Sequence, residues 1–500
     1  ASAMPGLGLL LLLLPLAALC PAAAGRHAPS RIAVVGGGIG GAATAYFLRQ
    51  KFGSSVKVEV LEKEAVGGRL STLEVEGAGY EAGASVLHPL NLHLKHFVKE
   101  LGLSVAPSQS KLMGIYDGEQ FVFEESSWYF INLLKLLWNY GLNPLRMYMW
   151  VEDILDKFMR IYRYQSHDYA FSSNERLLHA LGGNHFTQLL NQSIDEAMQS
   201  AGFSSKFISD MVVPPMRLNY GQGVSVNGFV GALSLAWVDS GLWSVKEGNR
   251  LVCVGLLQAS KAEVIPSTVL SIEPKVRPGP TGEPEKLYYV TSSTAAGLTG
   301  DIYDIVMVAA PLGHRLANIT FRGFDPPIPQ LSKPYQQIVT TLVHGRLNTS
   351  FFGYQDPSAF RLGAIFTTEN PKFFINSLEM VSPAEGGGGE GKLPLQSAVW
   401  KMFSNEVLSK EQLNLLFSSY DSVKKKKWLA YPHYSPPEGC PPVILHDNIY
   451  YLNGIEQAAS AMEMSAIAAK NAALLAYHRW YGNSHHVDQE DLHEKLKTEL

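Results

Sequence analysis

Residues 31–62 read Arg31-Ile-Ala-Val-Val35, then Gly36-Gly-Gly38-Ile-Gly-Gly41, then an alanine-rich run to Gln50, then Val56-Lys-Val-Glu-Val-Leu61 and Glu62. The two β-branched runs predict strands, and the run from Ala42 to Gln50 predicts a helix between them. Glycines spaced in this way between a strand and a helix are typical of a dinucleotide-binding turn. Glu62 follows Gly41 by 21 residues, near the spacing of about 20 at which such turns carry an acid.

Each position of this turn has a separate physical task. Gly36 is expected to make the tight turn, Gly38 to let backbone amides approach a pyrophosphate, and Gly41 to let the helix pack on the strand. The helix N-terminus supplies unpaired amides and partial positive charge for the phosphates. The Glu62 carboxylate can accept hydrogen bonds from a ribose 2′-hydroxyl and disfavours a 2′-phosphate. A dinucleotide site is therefore predicted at the end of the first strand.

Two segments after Glu62 point to a flavin rather than a nicotinamide cofactor. The first is Gly67-Gly68-Arg69, and the second is Glu81-Ala-Gly83-Ala84-Ser85. Their order resembles the flavin amine oxidase and desaturase superfamily, in which the second segment is a turn passing beside the flavin. The resemblance implies bound FAD, with Gly68, Arg69 and the Gly83–Ala84–Ser85 turn among its contacts and with Arg69 meeting a phosphate or a flavin carbonyl. Noncovalent binding is expected, since no histidine or cysteine can be assigned as an attachment point.

Later segments resemble other parts of the same superfamily's cofactor domain. Residues 451–456 and the predicted helix from about 461 to 480 resemble its strand, Gly-x-Glu and helix element. The resemblance implies that Gly454 and Glu456 lie along the ribityl and pyrophosphate region and that the helix N-terminus at Met462 faces the flavin pyrimidine. The helix dipole there would stabilise the negative charge of a reduced flavin.

Two weaker segments complete this likeness. Lys261-Ala-Glu-Val264-Ile265 resembles the strand whose backbone meets the adenine, and residues 304–311 resemble a later strand of the sheet. The implied fold class is α/β, a FAD-binding Rossmann-like domain of the flavin amine oxidase type with an α+β substrate domain, discontinuous in sequence. The FAD-binding domain is expected over residues 31–115, 246–322 and 440–482. The substrate domain is expected over 116–245, which reads as helical, and 323–439, which contains strand-like runs such as 338–344.

The composition of the chain excludes several classes of protein. Of its 500 residues, 46% are hydrophobic and 17% are charged, and the net charge is −4. The low charged fraction argues against disorder, and the absence of a positive excess argues against nucleic-acid binding. Cys20, Cys253 and Cys440 are too few for a disulfide scaffold, a cysteine-only zinc site or an iron–sulfur cluster, and no metal site is predicted.

The first 24 residues predict a secretory signal peptide. An apolar run over residues 7–19 precedes Pro21-Ala-Ala-Ala-Gly25, and it is shorter than a membrane span. Its removal would leave Cys253 and Cys440, whose pairing the sequence leaves open. Later runs fall short of 18 apolar residues, so no transmembrane span is expected.

Two further signals agree with the secretory pathway. Candidate N-glycan sites occur at Asn191, Asn318 and Asn348. The polar tail over residues 483–500 ends in Lys497-Thr-Glu-Leu500, which resembles an endoplasmic-reticulum retrieval signal and makes retention there an alternative to the lysosome.

Within the superfamily, residues 31–500 most resemble the prenylcysteine oxidase family. The stretches 81–93, 149–165, 428–434 and 454–466 carry this resemblance. It implies a lysosomal FAD-dependent thioether oxidase that converts farnesylcysteine or geranylgeranylcysteine, with molecular oxygen, into free cysteine, a prenyl aldehyde and hydrogen peroxide. Such a reaction belongs to the degradation of prenylated proteins. The apolar residues of the helical middle segment would then serve partly to bind the prenyl chain.

The catalytic side chains are less well defined by the sequence. Amine oxidases of the superfamily often place a lysine near the flavin nitrogen, whereas the comparable strand here carries Thr340 and Thr341. The candidates are His88, Thr341 and His433. Two other functions stay open, namely an FAD-dependent amine oxidase and a lumenal flavin-binding protein without turnover.

Overall fold

A computed structural model describes residues 27–109, 111–236, 241–278, 284–331, 333–370, 373–384, 398–437, 439–490 and 492. The predicted signal peptide, a glycine-rich insert at 385–391 and the Lys497–Leu500 signal lie outside the described residues. In the described parts of the chain, no helix combines the length and apolar character needed to cross a membrane.

The strands belong to three larger sheets and two two-stranded sheets, of which one is a hairpin and the other pairs strands that lie far apart in the sequence. In chain order they are β1 (Arg31–Val35), β2 (Lys57–Glu62), β3 (Thr72–Val75), β4 (Ala78–Glu81), β5 (Val105–Pro107), β6 (Met113–Tyr116), β7 (Phe121–Glu124), β8 (Trp243–Val245), β9 (Glu263–Pro266), β10 (Thr268–Pro278), β11 (Pro284–Thr294), β12 (Gly297–Tyr303), β13 (Ile305–Val308), β14 (Thr320–Phe321), β15 (Tyr335–Leu347), β16 (Ala364–Thr367), β17 (Ser377–Val381), β18 (Ala398–Ser404), β19 (Phe417–Pro432), β20 (Ile444–His446) and β21 (Ile449–Tyr451).

The helices are concentrated between β7 and β8 and at the two ends of the described chain. They are α1 (Ile39–Phe52), α2 (Leu92–Glu100), α3 (Tyr129–Tyr140), α4 (Asn143–Ser166), α5 (Asn174–Asn191), α6 (Ile194–Ser200), α7 (Ser205–Phe207), α8 (Val213–Tyr220), α9 (Gly228–Leu235), α10 (Arg250–Ser260), α11 (Lys410–Leu416) and α12 (Met462–Tyr481).

A six-stranded sheet in the order β20-β21-β13-β1-β2-β9 lies within the segments expected to form the FAD-binding domain. All its pairs are parallel except β20 with β21. The residues of β1 alternate between two buried layers: Ile32 and Val34 pack with α1, α10 and α12, whereas Ala33 and Val35 pack with the four-stranded sheet β12-β11-β10-β14. A parallel sheet covered on both faces is an α/β fold, as predicted.

A seven-stranded sheet in the order β19-β15-β18-β17-β16-β6-β7 is made of strands from the segments expected to form the substrate domain, apart from most of β6. Its long strands β15 and β19 pair antiparallel along most of their length. Helices α3 to α9 fill the segment that the sequence predicts as helical. The expected domain boundary at residue 115 falls inside β6, which pairs with β16 of this sheet. β6 is short and follows β5 closely, so its hydrophobic pattern alone does not identify its sheet.

Candidate active site

The glycine turn after β1 forms a tightly packed bend that leaves open space on one side. Gly36 has φ +104°, and a Cβ there would come within 2.9 Å of the Ala309 carbonyl oxygen. A Cβ on Gly41 would come within 1.8 Å of the Gly36 carbonyl oxygen. A Cβ on Gly38, by contrast, would meet nothing nearer than the Gly67 carbonyl oxygen at 3.8 Å. Two glycines are thus required by the protein's own packing, whereas Gly38 borders a cradle that a larger side chain would fill.

Glu62 lies at the carboxyl end of β2 and closes this bend. Its Oε2 accepts a hydrogen bond from the Gly37 amide at 2.5 Å, and its Oε1 accepts one from the Glu64 amide at 2.7 Å. The carboxylate is buried. Because two backbone donors orient it, Glu62 presents its remaining acceptor positions in a fixed direction, as recognition of a ribose requires.

The N-termini of α1 and α12 lie side by side at this end of the sheet. A Cβ on Gly40 would be 3.8 Å from the Cβ of Ser465, in the first turn of α12. Neither helix has a side-chain cap at its N-terminus, where Gly38 and Ala461 precede the first helical residues. Met462 is the first residue of α12 and is buried. Two uncapped helix termini supply unpaired amides and partial positive charge, which suits phosphates and an anionic ring.

Arg69 and Glu456 form an ion pair that joins the two ends of the chain. The guanidinium donates to Glu456 Oε1 at 2.5 Å and Oε2 at 3.0 Å, and also to the Ala430 carbonyl at 2.7 Å. Tyr335 and Asn453 donate to the same carboxylate, which is 1% exposed. Although burial lowers it, the Glu456 carboxylate raises the pKa of Arg69 above its ordinary value. The sequence places Arg69 and Glu456 in one site without indicating that they pair.

The backbone turn from Glu81 to Ser85 is held by side chains from several elements. The Thr340 hydroxyl donates to the Ala82 carbonyl at 2.7 Å, and the Trp428 indole donates to the same oxygen at 3.1 Å. The Asn249 side-chain amide donates to the Ala84 and Ser85 carbonyls, each at 3.0 Å. A Cβ on Gly83 would come within 1.8 Å of the Arg69 carbonyl oxygen. This turn therefore has one defined conformation next to the Gly67–Arg69 segment.

A buried cation also contacts this turn. Lys401 of β18 is 5% exposed, and its Nζ donates to the Ser85 hydroxyl at 2.9 Å. Burial lowers the pKa of Lys401, while Glu379 and Glu81 oppose that change. Burial also raises the pKa of Glu81 to about 7, although the Asn249 amide and Lys401 lower it. A carboxyl group and an ammonium group are thus held close to the turn away from bulk water.

A cluster of tyrosines adjoins the Gly454–Ser460 segment. The ring of Tyr220 meets those of Tyr431 and Tyr434 edge to face, with centroids 5.1 and 5.5 Å away. The Tyr434 hydroxyl donates to the Glu456 carbonyl at 2.8 Å and accepts from the Ser460 amide at 3.1 Å. These rings form an aromatic wall beside the residues that lead into α12.

The three predicted catalytic side chains lie in different environments. His88 is buried, and its Nδ1 accepts a hydrogen bond from the Leu90 amide at 3.1 Å. His433 is exposed, with its Nδ1 3.1 Å from Gln336 Oε1. Thr341 is buried in β15, and its hydroxyl has no hydrogen-bond partner among the described residues. Neighbouring strand residues point to opposite faces, so Thr340 reaches the turn at Ala82 from the face opposite Thr341.

The remaining predicted positions are found as follows. Val264 lies in β9 at the edge of the six-stranded sheet, beside Val60 of β2. Gly68 has φ +57°, and a Cβ there would lie 3.4 Å from the Gly38 Cα. Cys253 and Cys440 are free thiols. Among the residues that the structure describes, no group of three or more His, Cys, Asp or Glu side chains could hold a metal ion.

The sequence analysis assigns no role in the site to several residues that the structure places there. Thr340, Trp428, Tyr431 and Tyr434 belong to segments that the sequence analysis cites, so their position near the turn could have been proposed. Asn249 and Lys401 carry no such signal, because each reaches the Glu81–Ser85 turn from more than 160 residues away. Glu463 is also new. Its carboxylate accepts hydrogen bonds from the His93 and Leu94 amides and the Tyr162 hydroxyl, and it caps the N-terminus of α2.

Comparison with known proteins identifies relatives over nearly the whole chain. A family profile described as prenylcysteine lyase matches residues 123–489, and one described as an NAD(P)-binding Rossmann-like domain matches residues 34–101. Prenylcysteine oxidase 1 of Bos taurus is 58% identical over 475 residues, which cover 95% of this chain and 94% of that protein. Prenylcysteine oxidase 1-like of the same organism is 46% identical over 492 residues, covering 98% and 99%.

A solved structure supports the fold independently. A triple mutant of putrescine oxidase superposes with a TM-score of 0.59 at 14% identity, covering 89% of this chain and 98% of its own. At this identity the likeness concerns the fold alone. Together with the Rossmann-like profile, it confirms the predicted α/β fold of the flavin amine oxidase type.

Proposed function

The chain belongs to the prenylcysteine oxidase family, and from this membership we propose that it is an FAD-dependent oxidase cleaving the thioether of prenylcysteines. Farnesylcysteine or geranylgeranylcysteine, water and molecular oxygen would give free cysteine, a prenyl aldehyde and hydrogen peroxide. The carbon next to sulfur loses two electrons, oxygen gains them, and water supplies the aldehyde oxygen.

One observation carries the cofactor assignment. The uncapped N-termini of α1 and α12, whose first turns approach to 3.8 Å between a Cβ at Gly40 and that of Ser465, border the cradle at Gly38. Neither N-cap residue, Gly38 or Ala461, makes a capping hydrogen bond among the described residues, so these amides would be available to an anionic group. This arrangement supports FAD rather than a cofactor without phosphates.

We assign the cofactor contacts from this arrangement. Gly36, Gly38, Gly41 and the start of α1 would hold the pyrophosphate, and Glu62 would hold the adenosine ribose. The strand residue Val264 would lie near the adenine. Gly68, Gly83, Ala84 and Ser85 would border the flavin ring on one side, with Met462 at its pyrimidine end and Gly454 near the ribityl chain. A bound flavin supplies the electron acceptor that thioether oxidation needs, and it would be held without a covalent bond.

The nature of the substrate favours oxidation without a strong base, even though the buried Lys401 and Glu81 lie beside the turn. Arg69 is occupied by Glu456. In the aromatic wall, Tyr431 is partly exposed and would offer an apolar face to an isoprenoid chain, whereas Tyr220 and Tyr434 are buried. A thioether carries no ammonium proton that must be removed first, so an aromatic and apolar pocket suffices to orient the carbon next to sulfur. His88, Thr341 and His433 remain candidates for a proton transfer in the later collapse to aldehyde and thiol.

The compartment and modifications extend this proposal. We propose that the protein acts in the lumen of the secretory pathway, in the lysosome, after loss of residues 1–24. Asn191 and Asn318 are exposed and accessible to glycosylation, whereas Asn348 is half-buried and donates its amide to the Leu415 carbonyl. The two domains are proposed to meet at the Glu81–Ser85 turn.

The test uses purified holoprotein and S-farnesylcysteine. Aldehyde, hydrogen peroxide and free cysteine are expected in equal amounts, with bleaching of the flavin absorbance when oxygen is withheld. The matched control is S-farnesylcysteine in which sulfur is replaced by a methylene group, which should give no peroxide. Peroxide released only from amines would establish the amine oxidase alternative. A stable flavin spectrum without any product would establish a binding protein.

A further inference from the structure

The helix α3 and the start of α4 expose an unusual amount of apolar surface. Trp128 is 71% exposed, Leu134 58% and Trp138 90%. Of the residues of α3, only Tyr140 is buried. A helix that is apolar but hardly covered is not stable on its own in water, and exposed apolar areas of this kind mark binding surfaces.

The exposed residues follow the helical repeat. Ile131, Leu134 and Trp138 lie on one stripe of α3, and Leu142, Leu145 and Met149 have the same spacing at the start of α4, where Leu142 is the N-cap residue. We call these six residues the α3–α4 patch. Asn132, Lys135 and Asn139 form a neighbouring polar stripe on α3. An apolar stripe with a polar stripe beside it is the pattern of a helix lying in a lipid–water interface.

The two charged side chains within the segment of the patch are basic, and acidic side chains follow it on α4 at the exposed Glu152 and Asp153. Between Glu125 and Glu152 the chain carries Lys135 and Arg146 and no acidic residue. Arg146 is exposed, with its guanidinium donating to the Ala201 and Gly202 carbonyls at 2.6 and 3.0 Å. Lys135 is half-buried and its Nζ donates to the Glu124 carbonyl at 2.9 Å, so both cations have backbone partners beside the apolar surface. They complement anionic lipid headgroups.

A second copy of this chain fits the same surface less well. Two copies packed patch to patch would bring their Lys135 and Arg146 side chains toward each other without an acidic partner from the same segment. Trp128 and Trp138 also favour a bilayer, since tryptophan prefers the boundary between headgroups and acyl chains. We propose that the α3–α4 patch docks on the surface of a bilayer containing anionic phospholipid. This docking does not depend on which thioether the protein oxidises.

The test is sedimentation of the holoprotein with vesicles. One vesicle contains equal parts of phosphatidylcholine and phosphatidylserine, and the other contains phosphatidylcholine alone. Binding should be several-fold stronger to the anionic vesicle and should weaken with salt. In a Leu134→Asp, Leu145→Asp double variant, we expect binding to fall by roughly tenfold or more, because two charges enter the apolar stripe.

A matched control carries the same charge change at another exposed apolar site. Val276 and Leu298 are 66% and 73% exposed in the four-stranded sheet. Val276→Asp, Leu298→Asp protein should bind like the wild type. Trp138→Ser is a milder second variant that should fold and bind less tightly. Flavin content reports on folding in every case.

Three outcomes would overturn the proposal. The first is that the wild type fails to sediment with either vesicle, and the second is that both double variants bind equally. The third is that the wild type binds no vesicle and is a dimer, which dissociates in Leu134→Asp, Leu145→Asp but not in the control variant. Peroxide formation from farnesylcysteine in detergent measures the proposed enzymatic function separately, so failure of one does not imply failure of the other.

Discussion

At the scale of single residues, the glycines of the first turn divide into two kinds. Gly36 and Gly41 are required because a Cβ would collide with backbone oxygens at 2.9 and 1.8 Å. Gly38 has φ −74°, which any residue adopts, and its Cβ would have free space around it. A requirement for glycine at Gly38 would therefore arise from a ligand and not from the fold.

This distinction predicts different failures for two substitutions. Gly38→Val should fold and yet retain at most about a tenth of the wild-type flavin, because its side chain fills the pyrophosphate cradle. Gly41→Ala should lose soluble protein, because its methyl group meets the Gly36 carbonyl. Flavin absorbance per protein and circular dichroism measure the two effects. Normal flavin content in folded Gly38→Val would contradict our placement of the pyrophosphate.

The Arg69–Glu456 pair gives a second prediction at this scale. Arg69→Met leaves the Glu456 carboxylate buried without its cation, and losing one partner of such a pair costs about 3–5 kcal/mol of unfolding free energy. The control is Arg322→Met, whose exposed guanidinium lies 3.8 Å from Glu273, with an expected change below about 1 kcal/mol. Urea unfolding of the flavin-free proteins compares them. Equally small losses of unfolding free energy in the two variants would show that hydrogen bonds from Tyr335 and Asn453 are enough to stabilise the buried Glu456 carboxylate.

At the scale of elements, β15 holds the Glu81–Ser85 turn through one side of the strand. Thr340 donates to the Ala82 carbonyl, which also receives the Trp428 indole. Thr341, the next residue, points to the opposite face, and its hydroxyl lacks a partner among the described residues. Because side chains alternate along the strand, the hydroxyl of Thr340 stabilises the fold through a hydrogen bond, whereas the buried hydroxyl of Thr341 lacks one.

Replacing each threonine by valine, which has nearly the same shape, tests this contrast. Thr340→Val removes a buried hydrogen bond and should lower the unfolding free energy by about 1–2 kcal/mol. Thr341→Val removes an unpaired buried hydroxyl and should be neutral or stabilising by about 1 kcal/mol. Thermal unfolding of the two variants gives the comparison. A loss of stability in Thr341→Val as large as that in Thr340→Val would contradict this contrast. Loss of farnesylcysteine turnover in a stable Thr341→Val protein would support the predicted catalytic role of Thr341.

At the scale of the whole molecule, the sequence predicts the local parts of the site better than their assembly. The helix expected at residues 461–480 is α12 at Met462–Tyr481, and β1 and β2 lie where the β-branched runs place them. Helix α1 begins three residues before the expected Ala42, since Gly40 and Gly41 belong to its first turn. These elements can be predicted because residues close together in the sequence determine them. The contacts of Arg69 with Glu456 and of Lys401 with Ser85 arise from folding across more than 300 residues, which no local pattern encodes.

The buried carboxyl groups make the stability of the whole molecule depend on pH. Burial raises the pKa of Glu463 to about 7 from its ordinary value of 4.5, although hydrogen bonds from the His93 amide and the Tyr162 hydroxyl lower it. Between these two pH values the folded protein binds more protons at Glu463 than the unfolded chain does. Stability from this group is therefore largest at acidic pH and falls as the pH rises through 7. Burial lowers the pKa of His93 to about 4, which opposes this trend below pH 6.5.

Glu463→Gln isolates this group, because glutamine does not titrate. The wild type should lose about 2 kcal/mol relative to Glu463→Gln when the pH is raised from about 5.5 to about 8, as 1.5 pKa units imply. His93 titrates in both proteins, so its effect cancels in the difference. Glu152→Gln, at an exposed site of α4, should follow the wild type at every pH. If the difference between the wild type and Glu463→Gln stays constant over this range, Glu463 is ionised throughout, and its burial gives the protein no additional stability at acidic pH.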